Sequence, residues 1–169
     1  GGVGKTTLSS SVHMKIARYF EADCIVDNIR EESSKHGLKI LQENILSAIL
    51  KIDVDVRSVE DGKQKIKSRL CHKKVLILLD DVDDRKQLEA LAGSHKWFGE
   101  GSRIIITTRD EHLLISHRVD EVSHISLLSP DEALRLFNRY AYQENEPVEG
   151  YRTLSQHVVS YAAGLPLAL

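Results

Sequence analysis

Cysteine is scarce in this sequence. Cys24 and Cys71 are its only two, and they form neither a C-x-x-C pair nor any metal-ligand spacing. A disulfide framework and a thiolate zinc site are thereby excluded, and a reducing compartment suits the chain. Long hydrophobic runs are missing too, so no segment reads as a bilayer span. No signal peptide is visible at the start. Neither sign of charge is in surplus: 23 Lys and Arg stand against 25 Asp and Glu, a formal net charge of −2. That balance leaves no electrostatic footprint for nucleic acid or an anionic membrane. The histidines are scattered without H-E-x-x-H, and His112 and His117, five apart, do not share a helix face, so a zinc centre lacks a ligand set. G-x-S-x-G is absent, which removes support for a serine hydrolase. There is no internal repeat or low-complexity tract. A hydrophobic fraction of 41% with 28% charged residues is that of an ordinary globular protein.

What is present begins at once. Gly1, Gly2, Val3, Gly4, Lys5, Thr6 and Thr7 make up most of a phosphate-binding loop. Its glycines let backbone N–H groups face an anion, and the following helix adds the partial positive charge of its N-terminus. Lys5 is placed to reach the β- and γ-phosphates, and the Thr6 hydroxyl to hold Mg²⁺. The full pattern requires one more glycine ahead of residue 1, usually at the end of a buried strand. The chain is therefore expected to begin inside its own motif.

A helix is predicted from Thr6 to Tyr19, with Leu8, Val12, Ile16 and Tyr19 on one side. Residues 22–26 read as a buried strand, Asn28 to His36 as a polar loop, and the residues after Gly37 as a helix facing inward with Leu38, Leu41, Ile45, Leu46 and Ile49. Ser58 is a helix N-cap, with Ile66 and Leu70 on the inner side. The lysines and arginines between Lys63 and Lys74 go around that helix rather than forming a stripe, so they read as a solvated face. Residues 75–79 are apolar on both strand faces, as in the middle of a parallel sheet, and end in Asp80-Asp81. Helical sequence from Asp84 to Leu91 follows, then a loop in which Trp97 and Phe98 anchor on the core. Residues 103–108 form a second buried strand delivering Arg109 to the same edge as Asp80. A last short strand is expected at 122–125. Ser129, Pro130 and Glu132 then make a helix start with a capping box, and Ala133, Leu134, Leu136, Phe137 and Tyr140 are its apolar side. A polar loop from Gln143 to Gly150 leads to a helix from Tyr151 to Ala163, with Leu154, Val158, Val159 and Tyr161 apolar, stopped by Gly164. Strand and helix alternation makes residues 1–125 an α/β, P-loop NTPase-like parallel sheet lacking its first strand. Residues 126–169 read as the start of a small helical domain.

The chemistry follows from this order. Lys5 supplies a cation clamp, and Asp80 a carboxylate for the Mg²⁺ held by Thr6. Asp81 can polarise a water, and Arg109 can pair with a terminal phosphate. The four stretches Gly1–Thr7, Lys74–Asp83, Gly101–Arg109 and Gly164–Leu169 resemble the ordered motifs of the NB-ARC domain, the nucleotide switch of plant nucleotide-binding leucine-rich-repeat disease-resistance proteins. Asp83, with Asn28-Ile29-Arg30-Glu31, Ser33 and His36-Gly37-Leu38, resembles the subclass that carries a TIR domain.

The resemblance implies ADP or ATP with Mg²⁺ as ligands, and slow ATP hydrolysis at most, with Asp81 the catalytic candidate. Nucleotide would be bound by Gly1, Gly2, Val3, Gly4, Lys5, Thr6, Thr7 and Arg109, and by Pro166 lying against the adenine. Thr6 and Asp80 would serve the metal. Residues 126–169 would begin the helical ARC1 subdomain. The implied setting is a cytoplasmic immune receptor, compatible with a nuclear one, whose TIR, winged-helix and leucine-rich-repeat domains lie outside this chain. Homo-oligomer formation by the intact receptor is compatible with the same picture, and the isolated segment is expected to bind nucleotide poorly. A rapid ATPase or kinase, and a scaffold with a vestigial phosphate loop, are the rival readings.

Overall fold

The structure, a computed structural model, describes residues 2–141 and 149–169. Three parallel strands form one sheet in the order β1 (Ala22–Val26), β2 (Val75–Val82) and β3 (Arg103–Thr108). Eight α-helices accompany them among the described residues: α1 (Lys5–Ile16), α2 (Ile29–His36), α3 (Leu38–Leu50), α4 (Val59–Leu70), α5 (Arg85–Leu91), α6 (Glu111–His117), α7 (Pro130–Ala141) and α8 (Glu149–Ala162). The described residues divide into two compact units. One is Thr6–Val122, which holds the sheet; the other joins residues 2–5 to Ser123–Leu169.

Strand β2 sits centrally because its sequence tolerates no water on either side, and Val75 to Leu79 are all fully buried. Register assigns its two faces. Val75, Ile77 and Leu79 lie with Cys24, Val26, Ile104 and Ile106 in the core under α3, α4 and α5. Leu76, Leu78 and Asp80 point to the opposite face with Asp23 and Ile25, and α1 reaches that face through Thr6 and His13. Asp80 is thus turned toward the helix that begins at the phosphate loop, a consequence of strand parity alone. Burying each of the apolar side chains Val75 to Leu79 contributes about 1.5–3 kcal/mol.

Helices α3, α4 and α5 follow their sequence signals. Leu41, Ile45, Leu46 and Ile49 are buried along α3, Ile66 and Leu70 along α4, and Ser58 Oγ caps α4 by accepting the Asp61 N–H at 3.2 Å. Asp84 and Gln87 close a capping box at the head of α5. Phe98 is buried and Trp97 packs against the same core. Burial pushes the Cys24 thiol up to about 11, helped by the neighbouring Asp23 charge, so at neutral pH it is an apolar core residue rather than a nucleophile.

Several expectations are corrected. The first helix stops at Ile16 and tightens into a 3-10 turn over Ala17–Tyr19. Its buried residues are Ser9 and His13, while Leu8 and Val12 are exposed, because the side facing the sheet is set by Thr6 and His13 rather than by apolar spacing. Among the described strands β1 and β3 each pair with β2 alone: Asp23 and Ile25 are exposed, and in β3 Thr107 is the one buried residue. Residues 28–36, read as a loop, contain α2. Its first residue, Ile29, is its one buried side chain, so no apolar period announces the helix, and the Glu31–Lys35 and Glu32–His36 pairs one turn apart support it instead. Helix α6 went unread for the same lack of a buried residue. Residues 122–125 form no strand and pair with none of the three.

In the second unit, the capping box at α7 is as predicted: Glu132 N–H donates to Ser129 Oγ at 3.3 Å, and Ser129 N–H to Glu132 Oε2 at 2.8 Å. Ala133 is buried, whereas Tyr140 is exposed. Most of the expected 143–150 loop lies outside the described residues. In α8 the buried line is Ser155, Val159 and Ala162, and the apolar Leu154, Val158 and Tyr161 are exposed. Close packing selected the small side chains: Gly164, at φ +77°, abuts Leu128 so tightly that a Cβ would lie 2.4 Å from its carbonyl oxygen.

Candidate functional site

The N-terminus of α1 and the C-terminal ends of β2 and β3 meet in one polar cluster. Thr6 Oγ1 lies 2.9 and 3.0 Å from the two Asp80 carboxylate oxygens. Thr107 Oγ1 donates to Asp80 Oδ1 at 2.6 Å and accepts the Asp81 N–H at 2.9 Å. Asp80 is only 5% exposed, and the partners that satisfy it are these two neutral hydroxyls.

Asp81 leaves the regular strand. Its φ is +52°, and the β2–β3 register shifts between Leu79 and Val82, so the bulge swings its carboxylate out of strand alternation. Two arginines receive it. Arg30 Nη2 lies 2.8 Å from Oδ2, and Arg109 Nε lies 3.4 Å from Oδ1. Arg109 follows β3 directly, in the bend before Asp110 caps α6.

Among the residues picked out from the sequence, Thr6, Asp80, Asp81 and Arg109 are therefore brought together in the sheet unit. Lys5 immediately precedes Thr6 and opens α1. Thr7 follows on the same helix and is exposed. Gly2 and Gly4 adopt φ of +82° and +92°, a region open to residues without a Cβ. Val3 lies in the bend between them, and Gly1 lies outside the described residues. In the other unit, Pro166 starts the 3-10 turn Pro166–Ala168. That turn touches the glycine loop: Leu167 N–H donates to the Gly2 carbonyl at 3.2 Å, and a Cβ on Gly2 would fall 2.9 Å from Leu167 Cβ.

Two members of the cluster escaped the sequence reading. Thr107 was legible only as part of a strand, although a polar residue after three isoleucines at a strand end is a usable signal. Arg30 stood out only within the Asn28-Ile29-Arg30-Glu31 stretch of the subclass resemblance, with no site role, since it lies on a helix without apolar periodicity.

The donor set fits a hard divalent cation. A buried carboxylate and a hydroxyl are Mg²⁺-type ligands, with water or phosphate oxygens completing such sites. Among the described residues no group of three or more His, Cys, Asp or Glu side chains is placed to hold a metal ion by itself.

The NB-ARC domain family matches residues 1–147. This chain belongs to the NB-ARC family. It is 44% identical over its whole length to disease resistance protein RUN1 of Vitis rotundifolia, 43% identical to TMV resistance protein N of Nicotiana glutinosa, and 39% identical over 99% of its length to disease resistance protein RML1A of Arabidopsis thaliana. It spans 13%, 15% and 17% of those relatives, respectively. NB-ARC domains are nucleotide-binding P-loop domains, and the cluster at the strand ends lies where parallel sheets place ligands. No helix among the described residues of this NB-ARC chain is long and apolar enough to cross a membrane.

Proposed function

We propose that this NB-ARC chain is the adenine-nucleotide switch of a plant immune receptor of the TIR-bearing class. It holds ADP at rest, exchanges it for ATP on activation, and resets by slow hydrolysis of ATP to ADP and phosphate. What carries the reading is the convergence of Thr6, Asp80, Thr107, Asp81 and Arg109 through hydrogen bonds and ion pairs, beginning one residue after Lys5.

Each residue then has a task. The loop Gly1, Gly2, Val3, Gly4, Lys5, Thr6 and Thr7 binds phosphates, with backbone N–H groups and the Lys5 ammonium offsetting their charge. Thr6 and Asp80 hold Mg²⁺, which when bound offsets charge on phosphoryl oxygens. Asp81 orients a water against the terminal phosphate. Arg109 exchanges its contact with Asp81 for the γ-phosphate and so senses whether one is there. Pro166 packs on the adenine, and the Leu167 to Gly2 bond ties its turn to the loop that reads the phosphates. The switch works in the cytoplasm alongside TIR, winged-helix and leucine-rich-repeat domains.

Two substitutions in the full-length protein test this. Lys5→Ala removes a charge-assisted contact and is expected to weaken ADP binding at least about tenfold, measured as nucleotide co-purifying with the protein. Unchanged occupancy and signalling would instead favour a scaffold with a vestigial loop. Asp81→Asn is expected to slow single-turnover ATP hydrolysis about 100-fold while ADP affinity changes far less. Equal losses in both would make Asp81 a structural residue. Turnover at kinase-like rates of about 1–100 per second would exclude a slow switch.

A further inference from the structure

Arg30, to which the sequence reading assigned no site role, holds the Asp81 carboxylate more tightly than Arg109, the arginine expected at the site. At 2.8 Å, Arg30 Nη2 is at charge-assisted hydrogen-bond distance from Asp81 Oδ2; at 3.4 Å, Arg109 Nε is outside good hydrogen-bond range of Oδ1. The two arginines also differ in how they are mounted. Arg30 is in the first turn of α2, next to Ile29, which is fully buried. The same helix is tied to the head of α5 where Gln87 Nε2 donates to Ser33 Oγ at 3.0 Å. Gln87 is itself fixed by Asp83 Oδ1 at 2.8 Å, so the mount of Arg30 connects back to the residues that follow β2. Arg109 belongs to no helix or strand and its side chain is 53% exposed.

We propose that Arg30 is a positioning residue for ATP hydrolysis: it anchors the Asp81 carboxylate, leaving Arg109 free to turn to the terminal phosphate without releasing Asp81. The proposal rests on the reading of Asp81 as the group that orients water. The Asp81 backbone is already fixed by the bulge and by its N–H bond to Thr107, so the side-chain torsions are what remains to be set, and the Arg30 contact sets them. The contact also neutralises the carboxylate. Without it Asp81 attracts Arg109 alone, and the sensor must break its sole ion pair with Asp81 before it can reach phosphate.

The test uses the full-length protein and compares Arg30→Gln, Arg30→Lys, Asp81→Asn and the Arg30→Gln, Asp81→Asn double variant. Single-turnover ATP hydrolysis and ADP affinity are measured for each. Arg30→Gln is expected to slow hydrolysis about tenfold with ADP affinity held within about threefold, and Arg30→Lys, which keeps the charge but not the planar guanidinium fork, to recover part of the rate. In the Asp81→Asn background the Arg30 change should have no further effect, because its influence passes through that carboxylate. The proposal is overturned if Arg30→Gln leaves hydrolysis unchanged while Asp81→Asn slows it, or if the two changes multiply. If Arg30→Gln does not fold, Arg30→Lys decides: full wild-type hydrolysis with a flexible ammonium in place of the planar guanidinium overturns the role of the fixed contact, and a partial rate supports it. An Asp81→Asn variant with wild-type hydrolysis would sink the reading of Asp81 itself, an outcome distinguishable from failure of Arg30 alone.

Discussion

A Cβ placed on Gly62 would lie 2.0 Å from Gln42 Oε1 and 2.4 Å from its Cδ, so the first turn of α4 depends on having no side chain there. Gln42 cannot move aside at low cost. It is fully buried, and its Nε2 donates to the Val59 carbonyl at 3.0 Å and to the Ala90 carbonyl at 2.9 Å. One amide thus joins α3 to the start of α4 and to α5. Gly62→Ala, normally favourable inside a helix, is expected here to destabilise the domain by about 3 kcal/mol through overpacking and the loss of those bonds. The urea unfolding midpoint reads this directly; a midpoint at or above that of the wild type would mean the amide has another place to go. Nothing in the sequence singled out Gln42, because a glutamine between Leu41 and Ile45 looks like the polar side of an amphipathic helix. Its burial depends on two partners distant in the chain.

Element ends were the most legible features, and α7 shows why. The Ser129 and Glu132 bonds are local, three residues apart, so the motif forms whatever surrounds it. Ser129→Ala is expected to cost about 1 kcal/mol, seen as faster amide exchange in the first turn of α7. The Glu132 carboxyl is held below its ordinary value of 4.5 by the hydrogen bonds from the Ser129 side chain and backbone. A depressed carboxyl stabilises the folded form above its unfolded pKa and loses that contribution as pH falls through the folded one. Protection of the α7 first turn should therefore be constant near neutrality and decline below about pH 4.5, and in Glu132→Gln the decline should vanish. Identical profiles in the two proteins would show that another group controls the turn. Helix α2 has no such side-chain cap, and α6, although Asp110 caps it, carries nothing local that says where it packs. Each lacks an apolar stripe, and each is located by what it meets: Ile29 entering the core in one case, and in the other a His117 Nε2 contact at 2.9 Å with the Ala92 carbonyl.

At the scale of the whole molecule, the order of the sheet decides where stability is concentrated. Strand β2 is paired on both sides and its residues Val75 to Leu79 are fully buried, whereas β1 and β3 each pair on one side only among the described strands. Native-state hydrogen exchange should accordingly find its slowest amides in Val75–Val82, with β1 and β3 opening first. Equal protection across the three strands would contradict that arrangement. By itself the sequence determined the class of the fold, the phosphate loop, the acidic end of β2 and the caps of α4 and α7, because these are matters of local periodicity, glycine content and side-chain-to-backbone bonding. Only the tertiary structure decided that Asp80 faces Thr6 and Thr107, that Asp81 turns out of the strand to Arg30, and which side of α1 and α8 is buried. Those are outcomes of strand register, one bulge and close packing between segments far apart in the chain, and none of them leaves a periodic trace among neighbouring residues.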